Sequence, residues 1–170
     1  ASLTLDPSLV QPADSVTCEA SVTDGFGATQ SDTVSVTVDN TAPIISSVGI
    51  VPTTAYNDSS LTCSVVAVDA DNQTLSIAYQ WTNDTTSVSL GSASVLILDS
   101  NIASRNDVIS CSVVVEDTSG ASDSGAATVS LNNRAPSAPT ITIDPSTAYI
   151  DSVLTCTALG SVDSDGDAVS

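Results

Sequence analysis

The chain of 170 residues contains 18 aspartates, only two basic side chains (Arg105 and Arg134), and has a formal net charge of −18 at pH 7. This charge argues against binding to nucleic acid or to an anionic membrane surface, because both need a positive protein face. Histidine and lysine are absent, so the commonest general base and the Schiff-base nucleophile are missing, and we expect no enzyme. No stretch approaches the roughly 20 apolar residues of a membrane span.

Apolar residues alternate with a period of two, which is typical of β-strands that bury one face. Seven strand-like runs follow one another in the centre, separated by turns rich in Asn, Asp, Gly, Ser and Pro: 44–51, 60–68, 74–82, 87–91, 93–99, 107–116 and 125–131. Short, regularly spaced strands of this kind predict an all-β fold, here an antiparallel β-sandwich.

The sequence repeats itself with a period of 93 residues. The clearest correspondences are Cys18 with Cys111, Cys63 with Cys156, Pro43 with Pro136, and 52–63 with 145–156. A fixed period predicts tandem modules. We therefore expect the C-terminal half of one module in residues 1–40, a complete module in 41–133, and the N-terminal half of a further module in 134–170. The first half is expected to supply three strands and the last half two.

Cys63, Trp81 and Cys111 fall on the second, third and sixth predicted strands of the complete module. Strand alternation places both cysteines on the face that should be buried. This Cys…Trp…Cys pattern resembles the immunoglobulin (Ig) fold, and the resemblance implies a disulfide between the two sheets with the Trp against it. The alternative is two free buried thiols. A disulfide would indicate an oxidising compartment.

Cys18 and Cys156 occupy the sixth-strand and second-strand positions of the two incomplete modules, so we expect their partners to lie outside these 170 residues. An alternative is a bond between Cys18 of one copy and Cys156 of the next, which would link like subunits head to tail. Such heterologous contacts give open filaments.

Acidic and amide side chains are expected to converge where modules meet. In a seven-strand sandwich, the loop after the second strand, the loop after the sixth strand and the incoming linker reach the same pole. These positions hold Asp39, Asn40, Asp69, Asp71 and Asp117 and, one module later, Asp163, Asp165 and Asp167. Ca²⁺ prefers about six to eight such oxygen ligands. The sequence therefore predicts junctional calcium, and the alternative is ordinary solvated turns.

The Asp69-Ala70-Asp71 segment is similar to the calcium-binding turn of cadherin repeats. That resemblance implies ligand roles for Asp69 and Asp71 and, more loosely, for Asp39 and Asn40. The segment DSDGD (163–167) also resembles the start of an EF-hand loop.

Three N-glycosylation sequons begin at Asn57, Asn72 and Asn83, all in predicted turns or at strand ends. Tandem Ig-like or cadherin-like repeats of this acidic, lysine-poor kind resemble those of bacterial and archaeal cell-surface proteins. The resemblance implies a structural extracellular role, as a segment of an adhesin, stalk or filament. Its partners would be neighbouring modules or like subunits, with glycans or cell-surface ligands as further candidates. The alternative is a carbohydrate-binding or other ligand-binding Ig-like module of a secreted protein.

Overall fold

The computed structural model describes all of residues 1–170 and contains eleven β-strands and no helix. The strands are β1 (Ser15–Thr23), β2 (Thr29–Thr37), β3 (Ile44–Val51), β4 (Ser60–Val68), β5 (Ser76–Asn83), β6 (Val88–Gly91), β7 (Val95–Ile97), β8 (Val108–Glu116), β9 (Ser122–Ser130), β10 (Thr140–Asp144) and β11 (Thr155–Leu159). The predicted all-β class is confirmed. The structure contains no helix that is long and apolar enough to cross a membrane.

The strands form four sheets, ordered β1-β2, β3-β4-β7, β6-β5-β8-β9 and β10-β11. Hairpins β1–β2 and β10–β11 are antiparallel, as are the β4–β7 and β5–β6 pairs. Six of the seven central strands lie within two residues of their predicted bounds. The seventh, β9, begins at Ser122 rather than at 125, because the turn before it closes early through a bond from Asp117 N to Ala121 O.

The prediction of three strands within residues 1–40 is wrong, since only β1 and β2 form there. Residues 1–14 contain turns and no strand. In the central region the corresponding strand, β7, pairs with β4. Near its start the chain closes a tight turn instead, in which the backbone nitrogens of Leu9 and Val10 donate to the Asp6 carbonyl.

Contacts divide the chain into two compact units. Unit 1 consists of Ala1–Gly49, Ser64–Tyr79 and Ser112–Ala127, and unit 2 consists of Ile50–Cys63, Gln80–Cys111 and Thr128–Ser170. In unit 1, the β1–β2 hairpin pairs in register from Ser15 opposite Thr37 to Thr23 opposite Thr29. Its turn places Gly27 at a φ of 88°, a left-handed conformation that favours glycine.

In unit 2, a disulfide joins Cys63 of β4 to Cys111 of β8 and so links the three-stranded sheet to the four-stranded sheet. The predicted pairing is confirmed. Trp81 is fully buried in the same unit, and its indole Nε1 donates a hydrogen bond to the Ala93 carbonyl at 2.8 Å. The indole therefore keeps its one polar group satisfied inside the core.

The face of β8 that alternation predicts to be buried is buried: Ile109, Cys111, Val113 and Val115 are all at most 1% exposed. The end hairpins differ, because their apolar side chains remain exposed. Examples are Val22, Val34, Val36, Ile141 and Ile143. The buried hydrophobic residues accordingly all fall between Ile50 and Leu131.

Candidate functional site

The turn after β4 forms the base of what we call the first acidic cluster: Asn40, Asp69, Asp71, Gln73 and Asp117, all in unit 1. Asp69 Oδ1 accepts hydrogen bonds from the backbone nitrogens of Asp71 at 2.8 Å and Gln73 at 3.3 Å. Asp71 Oδ2 in turn accepts a bond from Thr41 N at 2.7 Å, on the incoming linker. The Asp-Ala-Asp turn thus holds the linker through backbone donors.

The linker and the turn after β8 also meet in this cluster. Asn40 Nδ2 donates to Asp117 Oδ2 at 2.9 Å, and Gln73 Nε2 donates to Ser119 Oγ at 2.8 Å. Asp117 is 5% exposed. The amide of Asn40 lowers the pKa of Asp117 below its ordinary value, and backbone donors of the turn at Ala121, Ser119 and Gly120 add to the effect. Asp117 is therefore held as a carboxylate.

Three oxygens of the first acidic cluster are buried without any hydrogen-bond partner: Asn40 Oδ1, Asp69 Oδ2 and Gln73 Oε1. They are the only buried side-chain polar atoms of the protein in this condition. An unsatisfied buried acceptor costs about 1–3 kcal/mol. All three atoms are hard oxygen donors, the type that Ca²⁺ and Mg²⁺ bind.

The structure brings together four of the predicted ligand residues at this place, Asn40, Asp69, Asp71 and Asp117, whereas Asp39 is exposed. No group of three or more His, Cys, Asp or Glu side chains is arranged to hold a metal ion. A cation would therefore need the amide oxygens of Asn40 and Gln73 as well. Sequence reasoning missed Gln73; its place two residues after Asp71 was the available signal.

The same turn recurs in unit 2 as part of the second acidic cluster, which we define as Asp58, Asp163, Asp165 and Asp167 with Arg105 and Arg134. Asp163 Oδ1 accepts a bond from Asp165 N at 2.7 Å, as Asp69 does from Asp71. Asp165 Oδ2 accepts a short bond from Arg134 N. Arg134 lies 93 residues after Thr41, which makes the same contact to Asp71.

The side chain of Arg134 fills this second cluster. Its Nη1 lies 3.0 Å from Asp58 Oδ2, and its Nη2 and Nε lie 2.8 and 2.9 Å from Asp165 Oδ1. Its guanidinium carbon is 4.8 Å from the centroid of the Tyr56 ring, a cation–π distance. The Asp165 side chain is 1% exposed. The Arg134 backbone and side chain lower the pKa of Asp165 below its ordinary value, and Asp58 and Asp165 raise that of Arg134.

Arg105, the other basic side chain, is also in the second cluster. Its Nε pairs with Asp167 Oδ2, and both side chains are partly exposed, at 44% and 35%. The predicted ligands Asp165 and Asp167 are thus paired with arginines, whereas the first cluster has no basic side chain.

No protein-family model matches the chain, and neither does any curated protein or solved structure.

The predicted glycosylation positions differ sharply in access. Asn57 is 2% exposed and donates from Nδ2 to the Asp165 carbonyl at 2.8 Å. Asn83 is 1% exposed and donates to Asp107 Oδ2 at 2.8 Å. Both amides are thus buried and hydrogen-bonded in the folded protein. Asn72 is exposed, at a φ of 56° in the turn after β4.

The remaining candidate residues lie in the end hairpins. Cys18 and Cys156 are free and exposed. Among the aromatic side chains relevant to sugar binding, Phe26 and Tyr149 are exposed, and Tyr56 stacks on Arg134 instead.

Proposed function

We propose that the chain is a segment of a structural extracellular repeat protein, a cell-surface adhesin, stalk or filament. In this proposal it is built from Ig-like β-sandwich modules with a 93-residue repeat, divided at 1–40, 41–133 and 134–170. The two acidic clusters then lie at the module junctions.

The observation that carries the proposal is the recurrence of local hydrogen bonding at a spacing of 93 residues. Asp24 Oδ1 accepts bonds from Phe26 N and Ala28 N, as Asp117 Oδ1 does from Ser119 N and Ala121 N. Tyr56 N donates to Ser59 Oγ at 2.8 Å, and Tyr149 N donates to Ser152 Oγ at 2.7 Å. Repeated turns of this kind support tandem copies of one module.

The Cys63–Cys111 disulfide supports the sandwich and the location. It links two sheets, as expected of an Ig-like core, and it buries both cysteines. Structural disulfides persist in secreted and surface proteins and are rare in reducing compartments. A charge of −18 also keeps a long array soluble.

The first acidic cluster supports calcium at one junction. Asn40, Asp69, Gln73 and Asp117 offer hard oxygen donors, and three of these oxygens have no partner within the protein. A bound Ca²⁺ would satisfy these oxygens and neutralise carboxylates that lie near one another. The linker residue Asn40 and the β4 and β8 turns would then be held to a common ion, which would stiffen the junction.

Surface location is tested with antibodies raised against the 170-residue protein. They should label intact, unpermeabilised cells of the source organism, and protease added outside the cells should remove the signal. Labelling that appears only after permeabilisation would reject the extracellular assignment.

Calcium binding is tested by thermal unfolding in millimolar Ca²⁺ and in EDTA. Binding to the folded state alone raises stability by about 2.7 kcal/mol when Ca²⁺ is at 100 times its Kd. Coincident melting curves in both conditions would reject a calcium role.

A further inference from the structure

We propose that Arg134 serves as a built-in cation of the second acidic cluster, so that this junction is fixed by the chain itself and needs no metal ion. The location of this cluster at a junction rests on the module boundary proposed above, whereas the arginine contacts are independent of it.

Arg134 joins two segments that are far apart in sequence. On one side it bonds Asp58 at 3.0 Å and Asn57 Oδ1 at 3.2 Å, in the turn before β4. On the other side it bonds Asp165 and, at 3.3 Å, the Ser164 carbonyl. Asn57 completes the link through its own bond to the Asp165 carbonyl. The guanidinium is thus the centre of a network that spans more than 100 residues of sequence.

Burial makes the cation necessary. The Asp165 side chain is 1% exposed, and a buried carboxylate without a counter-charge is strongly disfavoured. Arginine suits this place because its planar fork directs several N–H donors at fixed angles and stays charged at any physiological pH. Lysine would provide a point charge with a different geometry.

The corresponding residue at the first cluster is Thr41, which keeps the backbone bond to the aspartate turn but carries no charge. The buried oxygens that lack partners all belong to that first cluster, and none belongs to the second. The two clusters therefore share one scaffold and differ in the source of positive charge.

Hydrogen exchange with mass spectrometry tests this assignment on the 170-residue protein. In Arg134→Gln, peptides covering 131–137 and 160–168 should exchange about ten- to a hundredfold faster, the effect of losing one or two charge-assisted hydrogen bonds. Arg134→Lys should recover part of the protection. Arg105→Gln is the matched control, and its exposed ion pair should change exchange in 131–137 by less than about threefold.

Two results would overturn the assignment. One is unchanged protection of both peptides in Arg134→Gln. The other is faster exchange of 160–168 in the unmodified protein when EDTA is added, because that would reveal a metal. If Arg134→Gln loses the near-ultraviolet signal of Trp81 and is globally unfolded, the comparison of Arg134→Lys with the unmodified protein decides instead. Surface labelling of cells tests the proposed function separately, and neither outcome there changes these exchange rates.

Discussion

The first and second acidic clusters both gather aspartate side chains, but they differ in what is available to neutralise the negative charge. In both clusters the second aspartate of a turn accepts a hydrogen bond from the backbone nitrogen of a linker residue. Asp71 accepts it from Thr41 in the first cluster, and Asp165 accepts it from Arg134 in the second. In the second cluster the same residue also provides a guanidinium. In the first, three buried oxygens have no partner. The second cluster is thus neutralised by Arg134 and Arg105, whereas the first has no basic side chain and would need an added ion for the same purpose.

The number of acidic residues in a cluster does not by itself indicate a need for a cation. The second cluster has the denser run of aspartates, DSDGD. Its Asp165 and Asp167 nevertheless have arginine partners. Unsatisfied acceptors, rather than charge density, mark the place where a cation would lower the free energy.

The largest expected effect comes from removing the Cys63–Cys111 disulfide, which lies in the same unit as the second acidic cluster. The bond closes a loop of 48 residues, and its loss should lower the free energy of unfolding by about 4 kcal/mol in the chain-entropy model. We expect Cys63→Ala with Cys111→Ala to show this in urea unfolding. The matched control, Cys18→Ala with Cys156→Ala, removes exposed thiols and should change stability by no more than about 0.5 kcal/mol. Equal effects of the two double variants would contradict the assignment of the core.

The sequence predicted the strands and the disulfide because both depend on a local pattern. Alternating apolar residues in β4 and β8 define a buried face, and Cys63 and Cys111 lie on it. The same reasoning placed Asn40, Asp69, Asp71 and Asp117 together, because strand order determines which loops share a pole. It missed the start of β9, where SDSG carries no apolar alternation.

The role of Arg134 was not predictable from the sequence. Its partners Asp58 and Asp165 are 76 and 31 residues away, and no spacing rule connects such positions. Burial of Asn57 and Asn83 was also hidden, because a sequon specifies residue types and not exposure. These features depend on tertiary packing around the clusters rather than on the strand pattern.

The second expected effect is a difference between the two clusters in how their aspartate variants respond to Ca²⁺. Asp69→Asn should abolish the stabilisation expected from the proposed Ca²⁺ binding, about 2.7 kcal/mol at 100 times its Kd, because it removes a carboxylate charge from the first cluster. Asp163→Asn changes the corresponding turn residue of the second cluster and should leave the calcium response intact. Calorimetric titration with Ca²⁺ measures both. A response lost equally in both variants would show that the clusters are not distinct.

Acid should reduce the stability that both clusters contribute, but different groups lower the pKa of the aspartate in each cluster. The pKa values of Asp117 and Asp165 are lowered in the folded protein, so each contributes stability that is present above the ordinary aspartate range and lost as the pH falls through the folded value. The charged groups that lower the pKa of Asp165 are Arg134, through hydrogen bonds and charge, and Arg105, through charge.

Carboxyl NMR titration separates the two causes. Arg134→Gln should raise the pKa of Asp165 towards its ordinary range and leave that of Asp117 unchanged. Asn40→Leu should raise the pKa of Asp117 and leave that of Asp165 unchanged. A shift of both carboxyls in either variant would mean that the clusters titrate as one system.

The smallest expected effect is that of Gln73→Leu on the free energy of unfolding, and it should differ between EDTA and Ca²⁺. In EDTA, Gln73→Leu removes the unsatisfied oxygen Oε1 but also the bond to Ser119, so the free energy of unfolding should rise or stay within about 1 kcal/mol. In saturating Ca²⁺ the same variant should be less stable than the unmodified protein, because one ligand oxygen is missing. Gln80→Leu is the control: its amide nitrogen already donates to Trp81 O and Ser89 Oγ, so its loss should destabilise by about 0.5–1.5 kcal/mol in both conditions. Chemical unfolding with and without Ca²⁺ gives both differences. Destabilisation of Gln73→Leu by the same amount in EDTA and in Ca²⁺ would show that Oε1 makes no contact with an ion, and the first cluster would then be an ordinary polar turn.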